Sequence, residues 1–293
     1  MAIPGLEAII ERVKTDYKFN MPDYKVDEKF FQKVEDPIAV QRLLFDSLCK
    51  AKVVGEALDN IELSFYEKQE YRPILLRSCY FDLFELILDS LRIPQDNHRH
   101  LILGSPGIGK SWFHVFCLFV LIKAEIPVYI QREEYSALFF KGEAYEAHDC
   151  INLVRNNLLS RSNIWHLYDR TEPPKGLSSE NITVMVSSPG RETYKDYVKC
   201  CHFGRMYMPL WNYKELELIN RLRTPSTSRL SEERLRERFQ LCGGIARHIF
   251  DDYKDYKKEY ARAVSDYSIS ELHPNPLRDD DERGHLIYGL KVT

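Results

Sequence analysis

The sequence predicts an α/β fold, with a parallel sheet covered by helices on both faces, a helical region before it and a small helical region after it. Three observations predict this. From His100 onward, short apolar runs alternate with polar or helical connections, the pattern of strands buried on both sides. The first run, HLIL, passes directly into the glycine-bearing loop GSPGIGKS and then into the long apolar segment SWFHVFCLFVLIKAE, which reads as strand, loop, helix. On either side of this core, before residue 95 and after Pro209, apolar residues recur at helical spacing.

Composition bounds the rest. The 293 residues are 44% hydrophobic and 29% charged with a formal net charge of −3, which permits a large core and excludes collagen-like, low-complexity and disordered chains. Near-neutral charge exerts no global pull on nucleic acid or anionic membrane. No apolar run reaches the roughly 18 residues that span a bilayer, so no membrane partner is expected. The start, MAIPGLEAIIERVKTDYKFN, lacks a basic segment followed by an apolar one, and no secretion signal is readable in it. Seven cysteines, at 49, 79, 117, 150, 200, 201 and 242, show no CxxC spacing, which favours reduced, mostly buried thiols over disulfides or a zinc site.

In chain order, residues 1–97 read as a tyrosine-rich helical region, with helical spacing in FFQKVEDPIAVQRLLFDSLCKAKVV and SCYFDLFELILDSL and a stop at Pro94. Residues 98–210 form the α/β core, with strands expected at HLIL, IPVYIQ, SALFF, IWHLYD, ITVMVSS and GRMYMP. Residues 211–262 read as a lid-like helical subdomain, in which Ser231 is a helix start and Gly243 a stop. Residues 263–293, with Pro274, Pro276 and RDDDERGH ahead of an apolar end, read as a tail or the start of a further module.

The chemistry lies in Gly104-Ser105-Pro106-Gly107-Ile108-Gly109-Lys110-Ser111, which fits GxxxxGK[ST] between a strand and a helix, the context that a phosphate-binding P-loop requires. Gly107 and Gly109 let successive N–H groups turn inward, and the following helix presents its positive end to the same place. Lys110 is expected on the β- and γ-phosphates and Ser111 on Mg²⁺. Asp169, closing IWHLYD, is the expected second metal-organising acid at a strand's carboxyl end, against a plain turn aspartate before Arg170. No glutamate adjoins it; Glu172 is a candidate base, against an ordinary loop carboxylate. IPVYIQ lies in sequence between the P-loop strand and the Asp169 strand, which puts an extra strand between them, and ITVMVSS follows Asp169. Ser187 and Ser188 would end it as γ-phosphate sensors, or simply begin the turn SSPG. Arg247, behind the Gly243-Gly244 break, is a candidate arginine sensor, against a helix-surface arginine.

Other features weigh toward ordinary structure. His98 and His100 lack further ligands nearby, Cys200-Cys201 reads as core, and Asp279 to Glu282 reads as a solvated acidic loop. Six arginines between 221 and 238 are interleaved with three glutamates, as on a solvated helix face.

GSPGIGKS, IWHLYDRTEPP, VMVSSPGRETYKDYVK, MYMPLWNYKELELI and RERFQLCGGIARHIF, in this order over roughly 100–253, resemble the ATPase module of Crinkler effectors and the related retrotransposon hot spot proteins. The resemblance implies an ATP-hydrolysing hydrolase placed beside a variable, often nuclease-like, carboxyl-terminal module, in proteins secreted into host cells and frequently host nuclei. It implies Lys110 and Ser111 as the nucleotide pair, Asp169 as the metal-organising acid and Arg247 as the arginine of the GG-x-x-R segment. An LFLAK-like translocation signature and a restriction-nuclease constellation are not readable, so an effector module beyond Thr293 or a minimal relative is expected. The leading function is therefore Mg²⁺-dependent ATP hydrolysis that powers or gates an effector, with a partner copy as a possible source of an arginine finger. A nucleotide-gated switch binding host protein or DNA with little turnover, and a small-molecule kinase, stand as alternatives.

Overall fold

Helices and strands follow one another through the computed structural model, which describes residues 5–16, 26, 31–62, 71–93, 98–133, 135–147, 164–169, 181–189, 194, 197, 205–223, 229–251 and 253–266. The chain begins with α1 (Leu6–Asp16), β1 (Phe31–Lys33), α2 (Val40–Lys50), β2 (Lys52–Val54), β3 (Ala57–Glu62), β4 (Tyr71–Leu75) and α3 (Ser78–Ser90). The central run is β5 (Arg99–Leu103), α4 (Lys110–Lys123), β6 (Val128–Arg132), β7 (Tyr135–Phe140), β8 (Glu143–Ala147), β9 (Trp165–Asp169), β10 (Ile182–Ser187) and β11 (Arg205–Tyr207). Four helices close it: α5 (Tyr213–Leu222), α6 (Glu232–Cys242), α7 (Ala246–Phe250) and α8 (Tyr253–Asp266). Two units result, one of Met1–Ile102, Lys110–Ser187 and Thr193–Tyr207, the other of Leu103–Gly109, Ser188–Glu192 and Met208–Thr293.

The first unit holds the expected α/β architecture. Its eight-stranded sheet has the order β1-β8-β7-β6-β9-β10-β5-β11. β6, β9 and β10 run parallel, in a register that aligns Arg132 and Val186 with Asp169. An extra strand separates the P-loop strand β5 from β9, as expected, and the sheet order shows it to be β10, while β6 lies on the far side of β9. All five residues of β9 are buried, as a strand covered on both faces requires. On one face Phe84 of α3 stacks on Trp165 at 5.6 Å and 19°, and Phe113 and Phe116 of α4 extend this aromatic layer to Tyr80. Residues Phe113–Leu121 of α4 are buried without a break, which explains why that helix reads as apolar all round.

Two expectations need correction. The sheet is mixed and not wholly parallel: β7 and β8 return antiparallel to β6, and β1 adds antiparallel to β8. Pairing of Arg132 with Tyr135 leaves two residues for the β6–β7 turn. So short a turn can only make a hairpin, since a parallel crossover needs about a dozen residues. The amino-terminal region is also not wholly helical, because β2, β3 and β4 form a separate antiparallel sheet after α2. Its strands are short and interrupted; Pro73 within β4 is tolerated because β4 is an edge of that sheet. The Glu62 amide donates to Ser47 Oγ at 3.0 Å, tying β3 to α2.

In the second unit Asn212 caps α5 reciprocally with Glu215, both bonds at 2.9 Å. Ser231 caps α6, which stops at Gly243 with φ +60°. Arg221, Arg229, Arg234 and Arg236 are exposed, as expected of a solvated face, while Arg223 and Arg238 are half-buried and pack on rings. Arg238 bonds the Ile249 carbonyl and sits 4.3 Å from the Tyr253 ring, Arg223 lies 4.9 Å from the Phe250 ring, and Arg236 pairs with Glu232 at 2.9 Å. No helix among the described residues is long and apolar enough to cross a membrane.

Candidate nucleotide-binding site

The loop Gly104–Gly109 leaves β5 at Leu103, whose carbonyl accepts the Met208 amide at 2.8 Å, and enters α4 at Lys110. Gly107 at φ +81° and Gly109 at φ +100° occupy backbone conformations that turn amides inward at little cost only for glycine. Gly104 and Ile108 are buried, while Ser105, Gly107, Gly109, Lys110 and Ser111 are partly exposed and Pro106 is exposed. Fourteen residues of α4 follow, so the loop ends at the positive pole of a full helix.

Within the second unit, main chain packs on this loop. The Arg247 amide donates to the Gly107 carbonyl at 3.4 Å. A Cβ on Gly107 would lie 2.6 Å from Arg247 Cβ and 3.3 Å from Ile245 Cγ2. Gly244 is equally confined: a Cβ there would meet the Trp211 carbonyl oxygen and, at 2.7 Å, the Trp211 nitrogen, and the Trp211 amide donates to the Gly244 carbonyl at 3.0 Å. The segments MPLW and GGIAR, more than thirty residues apart in sequence, are thus one packed piece beside the P-loop.

In the first unit Asp169 is buried at the carboxyl end of β9. Arg132, its cross-strand neighbour on β6, brings Nε to 3.6 Å from Asp169 Oδ2, and both side chains are nearly inaccessible. His114, one helical turn beyond Lys110 on α4, faces the same pair. Burial pushes its imidazole down to about 4; Asp169 and a main-chain contact at Val184 pull it up and Arg132 lowers it further. Ser187 is buried and Ser188 partly exposed, directly after the residue of β10 that pairs with Asp169. Glu172, Cys200, Cys201 and the acidic run 279–282 lie outside the described residues.

The donor set suits Mg²⁺. Asp169 Oδ2 is buried and makes no hydrogen bond among the described residues. Ser111 and Asp169 supply hard oxygen atoms, and no cluster of three or more His, Cys, Asp or Glu that could cage a metal occurs among the described residues. A cation completed by phosphate and water fits that set better than one held by protein alone.

Sequence reasoning missed Arg132 and His114. The signals were an arginine closing the strand VYIQR and the i, i+4 spacing of Lys110 and His114, neither of which means anything until β6 and α4 are placed beside β9. His100 is buried at the strand entrance, with Nε2 3.3 Å from Ser90 Oγ, and burial pushes it down to about 3 with His98 adding to the effect. Cys79, Cys117 and Cys242 are buried and Cys49 is exposed.

No protein-family profile matches the chain. Over 156 residues, 52% of this chain, it is 27% identical to Crinkler effector proteins 15 and 16 of Phytophthora infestans. The chain spans about a quarter of those relatives, the matched stretch covering 24% of each. Similarity to Crinkler effectors, read above from motifs, is therefore present as sequence identity over half the chain. Among solved structures, the Thermotoga maritima RuvB Holliday junction branch migration motor matches at 10% identity and TM-score 0.36, over 73% of this chain and 68% of that one. AMPPCP-bound DnaA from Aquifex aeolicus matches at 12% identity and TM-score 0.38, over 74% and 78%.

Proposed function

We propose that this chain binds ATP with Mg²⁺ at Gly104–Ser111 and hydrolyses it, as the ATPase module of a Crinkler-like effector. One observation carries the proposal: a complete GxxxxGKS loop with its glycines at positive φ joins β5 to the first residue of α4, in a sheet whose strand β9 ends in a buried aspartate. Amides of residues 105–111 and the Lys110 ammonium bind the β- and γ-phosphates. Ser111 and Asp169 are the residues that would hold Mg²⁺, which when bound supplies charge neutralisation on the phosphate oxygens. Ser188 senses the γ-phosphate from the end of β10. Arg247 adds positive charge beside the loop, or an arginine of a second copy does so, and Glu172 orients the water. ATP over GTP rests on the resemblance to Crinkler ATPase modules.

The effector role named for the two relatives comes to this chain as part of the same proposal, with host protein or DNA as partner. A second reading, a nucleotide-gated switch with slow turnover, is favoured by one feature: Asp169 is followed by Arg170, not glutamate, and is already ion-paired to Arg132.

The test is Mg²⁺-dependent phosphate release from ATP and GTP, with nucleotide binding in parallel, for wild type, Lys110→Ala and Asp169→Asn. Asparagine is preferred to alanine because it keeps a partner of the same shape for buried Arg132. ATP turnover lost in both variants, with binding lost in Lys110→Ala, is the expected result. Lys110-dependent binding without turnover would favour the switch, and no nucleotide binding by wild type would overturn both.

A further inference from the structure

Asp169 is not alone at the end of β9. The parallel register of β6 and β9 makes Arg132 its direct cross-strand neighbour, and strand alternation puts both side chains on one face of the sheet. The contact, 3.6 Å from Nε to Oδ2, is longer than a hydrogen bond, so it acts through charge and leaves the lone pairs of Oδ2 available. Both partners are almost wholly out of water, with side-chain exposures of 9% and 4%. A carboxylate buried to that degree needs a positive charge beside it, and Arg132 is the cation that the geometry places there, across the strand pair.

We propose that Arg132 is the resident counter-ion of Asp169: a positioning residue that orients the carboxylate and balances its charge while no cation is bound, and that competes with Mg²⁺ for it. This rests on the nucleotide-site reading above and adds to it a charge that sets how much Mg²⁺ the site requires. Two cations sharing one carboxylate repel each other at a distance where little solvent screens them. Removing the arginine charge therefore strengthens Mg²⁺ binding while it weakens the ligand-free fold.

The experiment measures binding of a fluorescent ATP analogue to the full chain as a function of Mg²⁺ concentration, with thermal melting of the ligand-free protein alongside. Arg132→Met removes the charge; Arg132→Gln also removes it but keeps a hydrogen-bond donor for the carboxylate, and serves if the methionine variant does not fold. Both are expected to lower the Mg²⁺ concentration for half-maximal binding by about threefold or more and to melt earlier than wild type. Arg132→Lys keeps the charge and is expected to keep the wild-type Mg²⁺ midpoint. A midpoint unchanged or raised in Arg132→Gln overturns the inference, because a purely structural arginine would alter melting alone. Wild type that binds nucleotide without needing Mg²⁺ also overturns it while sparing the P-loop reading, and wild type that binds no nucleotide overturns both.

Discussion

Gly107 shows how a single residue serves two masters. Its φ of +81° is the price of turning P-loop amides inward, and its missing side chain is what lets Arg247 Cβ approach. Gly107→Ala meets both penalties at once, a left-handed backbone for a residue with a Cβ and a contact that must open. The expected loss is roughly 1–3 kcal/mol of stability together with loss of nucleotide binding. Urea denaturation and nucleotide titration of the variant check it; unchanged stability would mean the loop relaxes freely away from Arg247. The residue scale is also where motif reading was strongest. The place of Gly104 to Ser111 between a strand and a helix, and of Asp169 at a strand's end, was legible from a contiguous motif and an apolar run, whereas nothing near Arg132 in sequence marks it as the partner of an aspartate 37 positions later.

At the scale of elements, local signals worked where a segment carries its own start and stop. α5 begins at a reciprocal Asn212–Glu215 cap and α6 runs from the Ser231 cap to Gly243. Asn212→Ala removes the acceptor for the Glu215 amide at 2.9 Å, and is expected to cost about 1 kcal/mol. Chemical denaturation followed by circular dichroism measures this, and Asn212→Ser, which retains a capping oxygen, is expected to recover most of the loss. Local signals failed for β2, β3 and β4. Each is too short to show a period, and β3 carries a register shift between Leu58 and Ile61, so apolar residues that fit a helix as well as a strand were assigned to helices. β8 was missed for a similar reason: EAYEA has little β character and becomes a strand because β7 and β1 pair with it on both sides.

For the whole molecule, burial of ionisable groups ties stability to pH. His100 is pushed down to about 3 and His114 to about 4, both far below the roughly 6.5 of an unfolded chain. Below that value the unfolded chain binds protons that the folded one refuses. The histidine contribution is therefore complete above about pH 7 and drains away as pH falls through 6.5 toward 4, at about 1.4 kcal/mol per pH unit for each group. Asp16, held below its ordinary range by Arg92, and Glu143, held below its range by Lys33, act with the same sign, so the variant comparison is the informative one. His100→Gln, which can still bond Ser90, is expected to flatten the fall in unfolding free energy between pH 6 and 4 by about one proton's worth. Identical slopes for variant and wild type in urea titrations across that range would show that His100 titrates normally.

The sequence by itself determined the class of fold, the strand-loop-helix that carries the P-loop, the presence of an extra strand between the P-loop strand and β9, and the aspartate at the end of β9. Each follows from local periodicity or from a motif whose chemistry demands contiguous residues. Tertiary structure alone decided the antiparallel extension of the sheet, the contact of the Gly243-Gly244 segment with Trp211 and the loop, and the charge partner of Asp169. Those depend on which strand lies beside which, and on whose backbone can approach a glycine. Hydrophobic pattern records that a strand is buried but not the neighbour that buries it.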